Sequence, residues 1–363
     1  MRTRAPSDPE SSPLDDLHRS AAEHERMGRW ADAFAIRSEL FDRCVRHAEI
    51  GTAIPELVPQ GWLLLRWDRL DAAEEMAELS LQLSRMHELR REQARSATLM
   101  GVIRHRQTDI SGAEHHFREA LELARDSCDD DLIAGICQNL GVLANSTGDL
   151  REARALYLEA ICACVRAENP RIAGSTFNNL GMACSDLQEW MEAEIHFLRG
   201  IEIAERVDDR PLLALLTTGR AEPLIHTGEF DAAEATLKRA ETLGLQLNDH
   251  VVLADVHRYR GMIARLRGDL ATASEHLSRA ARIAEESSLE LEQAEIMEET
   301  AHLRRAEGRS GAAKVLLREA LHSYQRLGAR SDITRVERTM EKWRDREGEP
   351  MAQPVAGAAG ALS

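Results

Sequence analysis

Apolar positions recur along this chain at three- and four-residue spacing, and the whole pattern repeats every 40 residues. Residues 139–153 read NLGVLANSTGDLREA, and residues 179–193 read NLGMACSDLQEWMEA. Anchored on Gly148-Asp149, equivalent positions fall at 28, 68, 108, 148, 188, 228, 268 and 308, with no insertion or deletion. Seven residues before each anchor stand Ala21, Gly61, Gly101, Gly141, Gly181, Ala221, Gly261 and Ala301. Five residues after it stand Ala33, Ala73, Ala113, Ala153, Ala193, Ala233, Ala273 and Ala313. Larger residues hold a further register at Phe117, Tyr157, Phe197, Leu237, Leu277 and Leu317. This periodicity predicts pairs of antiparallel helices that cross where small residues let the axes approach. The turns agree: Thr-Gly-Asp, Thr-Gly-Glu and Arg-Gly-Asp precede Leu150, Phe230 and Leu270. Glycine is expected in the left-handed cap of the first helix, with Asp or Glu capping the second. The bulky residue after most anchors (Trp30, Leu70, Ile110, Leu150, Trp190, Phe230, Leu270) is expected to cover the open end of its pair.

The repeats account for residues 14–330. Pro55 and Pro59 fall in a first helix, and Pro59 is expected to kink it or delay its start. After the eighth pair, Ile333, Val336, Met340 and Trp343 form one apolar stripe with Ser331 as the expected N-cap. Residues 331–346 therefore read as a capping helix. Residues 1–12 and 348–363 lack periodicity and are rich in Pro, Gly, Ala and Ser, so they read as disordered tails.

The sequence Leu-Gly, Gly-Asp/Glu, Ala, aromatic, Ala resembles the tetratricopeptide repeat. It is clearest in Asn139-Leu140-Gly141, Gly148, Ala153, Tyr157 and Ala160, and in Asn179-Leu180-Gly181, Ala193 and Phe197. The usual unit is about 34 residues; this chain is similar to the 40-residue variant found in kinesin light chains, cell-polarity adaptors and bacterial regulators. It departs from the pattern at Arg37, Ala77 and Ser310. The resemblance implies an all-α superhelix, a solenoid of eight helix-turn-helix repeats plus the capping helix, without catalytic activity.

Composition narrows the function further. Forty-six Lys and Arg stand against 62 Asp and Glu, a net charge of −16, which disfavours a nucleic-acid partner. No signal peptide and no membrane-spanning run is legible. The expected location is cytoplasmic, and the Arg- and Ala-rich composition suggests a bacterial source. The six cysteines form no paired framework and read as small buried residues in a reducing compartment. No phosphate-binding loop, nucleophile elbow or zinc-ligand motif occurs, so neither an enzyme nor a cofactor is expected. His115-His116 reads as a surface pair. Glu295, Glu298, Glu299 and His302 share a helix side that could hold a metal, but they read as a solvated acidic stretch, and no metal is assigned.

In the family, first helices line a concave groove and contact the ligand from fixed positions. The resemblance places these here at 135, 138, 139, 142, 145 and 146 and their 40-residue equivalents. The groove then grades from basic (Trp62, Arg66, Arg95, His105, Arg106, with no acid), through amide-rich (Gln138, Asn139, Asn145, Asn178, Asn179), to mixed (Glu222, His226, Asp255, Arg258, Arg265) and acidic. Asn is a mediocre helix former, and its amide both donates and accepts, so Asn139 and Asn179 suit clamping an extended backbone. The expected function is an adaptor or scaffold holding an acidic partner peptide or helix. Two alternatives are a regulatory receptor that changes shape on binding and acts on a separate effector, and a structural protein self-associating through its ends.

Overall fold

A computed structural model describes residues 13–348, and every regular element among them is helical. Helices α1 (Pro13–Arg26) and α2 (Trp30–Arg46) form the first hairpin. The second opens with α3 (Ile50–Ala53), a 3-10 turn (Ile54–Glu56) and α4 (Leu57–Arg66), and returns as α5 (Leu70–Met86). Then come α6 (Arg90–Arg106) and α7 (Ile110–Asp126), α8 (Asp130–Thr147) and α9 (Leu150–Ala167), and α10 (Pro170–Asp186) and α11 (Trp190–Arg206). The sixth first helix is split into α12 (Arg210–Gly219) and α13 (Ala221–His226), answered by α14 (Phe230–Leu247). Helices α15 (His250–Leu266), α16 (Leu270–Glu286), α17 (Glu290–Ala306) and α18 (Ser310–Leu327) complete the pairs, and α19 (Arg330–Gly348) follows. The expected tails lie outside the described residues, except Gly348, which closes α19.

The hairpins gather into two compact units. Unit 1 holds the residues up to Asn145, Asp149–Ala183 and Glu202–Val207; unit 2 holds Ser146–Gly148, Cys184–Ile201 and the residues from Asp208. Each is a stack of helical hairpins with its own core. In unit 1, Phe117 packs among Ala94, Ala97, Ala113 and Ala120, all fully buried or nearly so. In unit 2, Leu237 and Val256 sit with Ala221, Ala233 and Ala240. The alanines matter because first helices also pack on the next first helix, α4 on α6 in unit 1 and α15 on α17 in unit 2.

The small-residue register marks real close approach. A Cβ on Gly141 would lie 2.4 Å from the Tyr157 ring, one on Gly101 2.6 Å from Phe117, and one on Gly261 2.8 Å from Leu277. The larger residues of the second helix therefore fill the space that the missing side chains leave.

The turns have a simpler period than the sequence suggested. Gly28, Gly148, Gly228, Gly268 and Gly308 adopt positive φ, as expected, but so do Asp68, Thr108 and Gln188 at the same register. The joints between hairpins do likewise at Ala48, Glu88, Cys128, Glu168, Asp208, Asn248, Ser288 and Gly328. A left-handed residue thus recurs every 20 residues, at each helix end. The N–H of the next residue closes on the sixth-residue carbonyl: Asp109 on Arg104 and Asp149 on Ala144, both at 2.9 Å. Asp109, Asp149 and Asp269 then cap the second helices through their side chains, whereas Glu229 makes no side-chain cap bond. Thr108 is β-branched in this strained well, at φ 62°. Thr108→Gly should stabilise the fold by about 1 kcal/mol, read as a raised urea midpoint; an unchanged or lowered midpoint would show that the turn carries no strain.

Several local expectations are corrected. Pro59 sits in the first turn of α4, and the irregularity is confined to the 3-10 turn around Pro55. Pro223, whose ring nitrogen cannot donate, lies just beyond the break between α12 and α13, which the sequence reading missed. Ser331 is inside the first turn of α19 rather than capping it. Cys128 and Cys162 are exposed, while Cys44, Cys137, Cys164 and Cys184 are buried. His116 is half-buried beside Glu119, because its helix face turns toward the neighbouring hairpin.

Candidate functional site

The groove positions of unit 1 come from α4, α6, α8 and α10. An apolar row runs along them: Trp62 is 39% exposed, Val142 37% and Met182 51%, with Val102 half-buried between. These are the same register position 40 residues apart. Large apolar groups left partly in water in one row are an interaction surface rather than core.

The arginines beside this row are less free than their sequence implied. The Arg66 guanidinium lies 4.0 Å from the centre of the Trp30 ring. Arg95 pairs with Glu92 at 3.2 Å, and Glu92 is 7% exposed. Arg106 donates to the Leu65 carbonyl at 2.7 Å, satisfying an orphan acceptor at the end of α4. His105 is half-buried. The acid-free basic patch is thus corrected: Glu92 enters it from the same helix, one turn before Arg95. Glu56, 3% exposed, is likewise held by Arg37 at 2.8 Å and His18 at 3.1 Å.

The amides divide into two groups. Gln138 donates to the Ser175 hydroxyl at 3.1 Å, and Asn178 is buried with its amide nitrogen 3.5 Å from the Met182 sulfur. Asn145 is half-buried, and its side-chain oxygen has no hydrogen-bond partner. Asn139 and Asn179, one per hairpin, are half-exposed and make no side-chain hydrogen bond among the described residues.

Unit 2 differs in chemistry. Arg258 pairs with Asp255 at 2.9 Å and Glu295 at 3.0 Å, and Arg265 with Glu299 at 2.5 Å. Neither predicted arginine is therefore an open anion site. Glu298 and Glu299 are each 8% exposed, so the solvated acidic stretch read from the sequence is in fact enclosed. The cause is α19. Its Arg335 donates to both oxygens of Glu298, at 3.1 and 2.7 Å, and pairs with Asp332 at 2.6 Å. Tyr324 donates to Glu298 at 3.0 Å. The Ser331 hydroxyl bonds Asp186, and Arg330 reaches the Thr147 carbonyl at 3.3 Å. Burial pushes Glu295 up to about 8 against the pull of Arg258, and raises Glu222 and Asp186. Nearer the turn, Trp190 stacks on His226 at 3.9 Å. Tyr259, Asp332 and Arg335 were missed by the sequence reading. Their signal was the 40-residue register, since Tyr259 occupies the position of Asn139 and Asn179, and Arg335 that of Glu295.

Helical hairpins with a small-residue crossing, left-handed joints and partner-facing first helices define a class, the α-solenoid interaction repeat. Residues 133–171 and 173–245 match the tetratricopeptide repeat, and the chain is a tetratricopeptide repeat protein. No curated protein matches it. Solved structures with a similar fold include aspartyl phosphate phosphatase F from Bacillus subtilis, at TM-score 0.63 and 13% identity, over 88% of this chain and 86% of that one. The apo form of the quorum sensor NprR from B. thuringiensis gives 0.61 and 13%, over 86% and 89%. A Rap protein complexed with Competence and Sporulation Factor gives 0.57 and 12%, over 93% and 99%. At these identities the likeness concerns the fold. Among the described residues, no helix is long and apolar enough to cross a membrane.

Proposed function

We propose that this chain is a cytoplasmic, non-catalytic interaction module whose first helices hold an extended segment of a partner protein. The observation that carries the reading is the pair Asn139 and Asn179. Each presents a half-exposed amide with no bond of its own, one hairpin apart, three residues before exposed Val142 and Met182. Such amides can donate to and accept from a peptide backbone while the apolar row takes side chains. A regulatory receptor acting on a separate effector is the second form of this reading. It draws support from the similar fold of a quorum sensor and of a Rap protein solved with a bound factor.

The test is capture of displayed random peptides by immobilised full-length chain and by the Asn139→Ala/Asn179→Ala variant. Because neither side chain is bonded within the fold, the variant should unfold within about 0.5 kcal/mol of the wild type. Peptides selected by the wild type should lose about tenfold or more in affinity for the variant, from two lost backbone bonds. Equal binding by both would place the contact elsewhere and end this reading of the amides.

A further inference from the structure

The concave wall of unit 2 carries more carboxylates than the cations beside it can serve. Arg258 is shared between Asp255 and Glu295, and Arg335 between Glu298 and Asp332. Asp186 and Glu222 have no cation bonded to them. Asp186 accepts only from Ser331, and Glu222 makes no hydrogen bond or ion pair among the described residues. Both stand where desolvation penalises a naked charge, close enough to influence each other.

A second feature points the same way. Tyr259 is 6% exposed, yet its hydroxyl makes no hydrogen bond among the described residues. The hydroxyl lies within the fields of Glu222, Asp255 and Glu295, with the Arg258 guanidinium 4.3 Å from its ring centre. A phenol held that deep without a partner is an acceptor and donor kept for something absent. Its register is that of the partner-facing Asn139 and Asn179, so it belongs to the wall on which the proposed reading places ligand.

We infer that the wall bounded by Asp186, Glu222, Tyr259 and Glu295 is a recognition site for a guanidinium or alkylammonium group, supplied by an arginine or lysine of the partner segment. This inference rests on the proposed interaction reading and adds the partner's chemistry: the segment is basic in unit 2, where the sequence alone suggested an acidic one. The incoming cation would take the unserved carboxylates Glu222 and Asp186 and donate to the Tyr259 oxygen. The arrangement suits a multi-donor cation because its acceptors come from separate helices, α10, α13 and α15, and converge on one place. The net charge of −16 favours the approach of such a ligand at low salt.

The test is calorimetric titration of the full chain with an acetylated nonapeptide carrying one central arginine among alanines and serines. Lysine and citrulline versions, and calcium chloride alone, complete the series. The arginine or lysine peptide should bind, with affinity falling as salt rises, and the neutral citrulline peptide should bind about tenfold or more weakly. Glu222→Gln should remove a similar factor, and Tyr259→Phe a smaller one of about threefold to fivefold. Since the Glu222 carboxylate holds no structural bond, its variant should keep the wild-type unfolding midpoint, which separates lost recognition from lost fold. Equal binding of the citrulline peptide, no binding at millimolar peptide, or indifference to Glu222→Gln would each overturn the assignment. So would calcium binding that excludes the peptide, which would make the wall a metal site. The Asn139→Ala/Asn179→Ala variant tells the two readings apart: selected peptides lost by that variant while the arginine peptide fails would leave the interaction module standing without this site.

Discussion

Gly141→Ala should destabilise unit 1 by about 2 kcal/mol, while Gly135→Ala, six residues earlier in α8, should stabilise it by about 0.5–1 kcal/mol. The two substitutions are chemically identical and act on one helix. Alanine improves helix propensity at both. At 135 nothing lies within 4 Å of the added carbon, so propensity alone decides. At 141 the carbon would sit 2.4 Å from one atom of the Tyr157 ring and 2.6 Å from another. That ring is 1% exposed and cannot swing aside without moving α9 away from α8. Urea unfolding of both variants is the measurement. Opposite signs confirm that the small-residue register exists for close approach; a stabilised Gly141→Ala would show that the hairpin has slack there.

Acid should loosen unit 2 through His257. This side chain is 4% exposed, with its Nδ1 3.2 Å from that of His276, so one ring donates and the other accepts. Burial holds His257 down to about 4. Its folded value lies below its unfolded one, near 6.5, so the unfolded chain binds more protons between those limits. Stability from this group is complete above about pH 6.5 and falls as pH drops toward 4, by about 3 kcal/mol in all. Glu295 has the opposite sign. Raised to about 8, it keeps its proton when folded, so its contribution weakens the fold as pH rises from about 4.5 to 8. The separation comes from comparing wild type with His257→Gln, which retains a hydrogen bond to His276. Unfolding midpoints at pH 4, 6.5 and 8.5 should show the acid-side loss shrinking in the variant while the alkaline side stays put. Parallel profiles for the two proteins would place the acid sensitivity elsewhere.

The hairpin architecture was legible because it rests on residues that admit few substitutes. Ala153 and Gly141 must be small in every copy, and eight copies in one register leave no other period. The left-handed joints were legible only where glycine filled them. Cys128 and Gln188 take the same backbone with ordinary side chains, held by the helices on either side, so composition carries no mark of them. The site was read less well for a different reason. A sequence places Arg95 and Arg106 on the correct helix, but not Glu92 one turn away or the Leu65 carbonyl that claims a guanidinium. Glu298 read as solvated because its cover, Arg335 and Tyr324, comes from residues 26 and more further on. Register reasoning extended to α19 would have found Arg335.

The joints have a consequence for how the molecule is handled by other proteins. Helices of 17 or 18 residues are connected by only two or three, and each joint is tied back to the preceding helix by its own amides. A protease must draw an extended stretch of backbone into its cleft, and no joint supplies one. Cutting between the hairpins therefore requires a helix end to unravel first. The digestion rate becomes a clock for the opening of individual hairpins rather than a map of exposed loops.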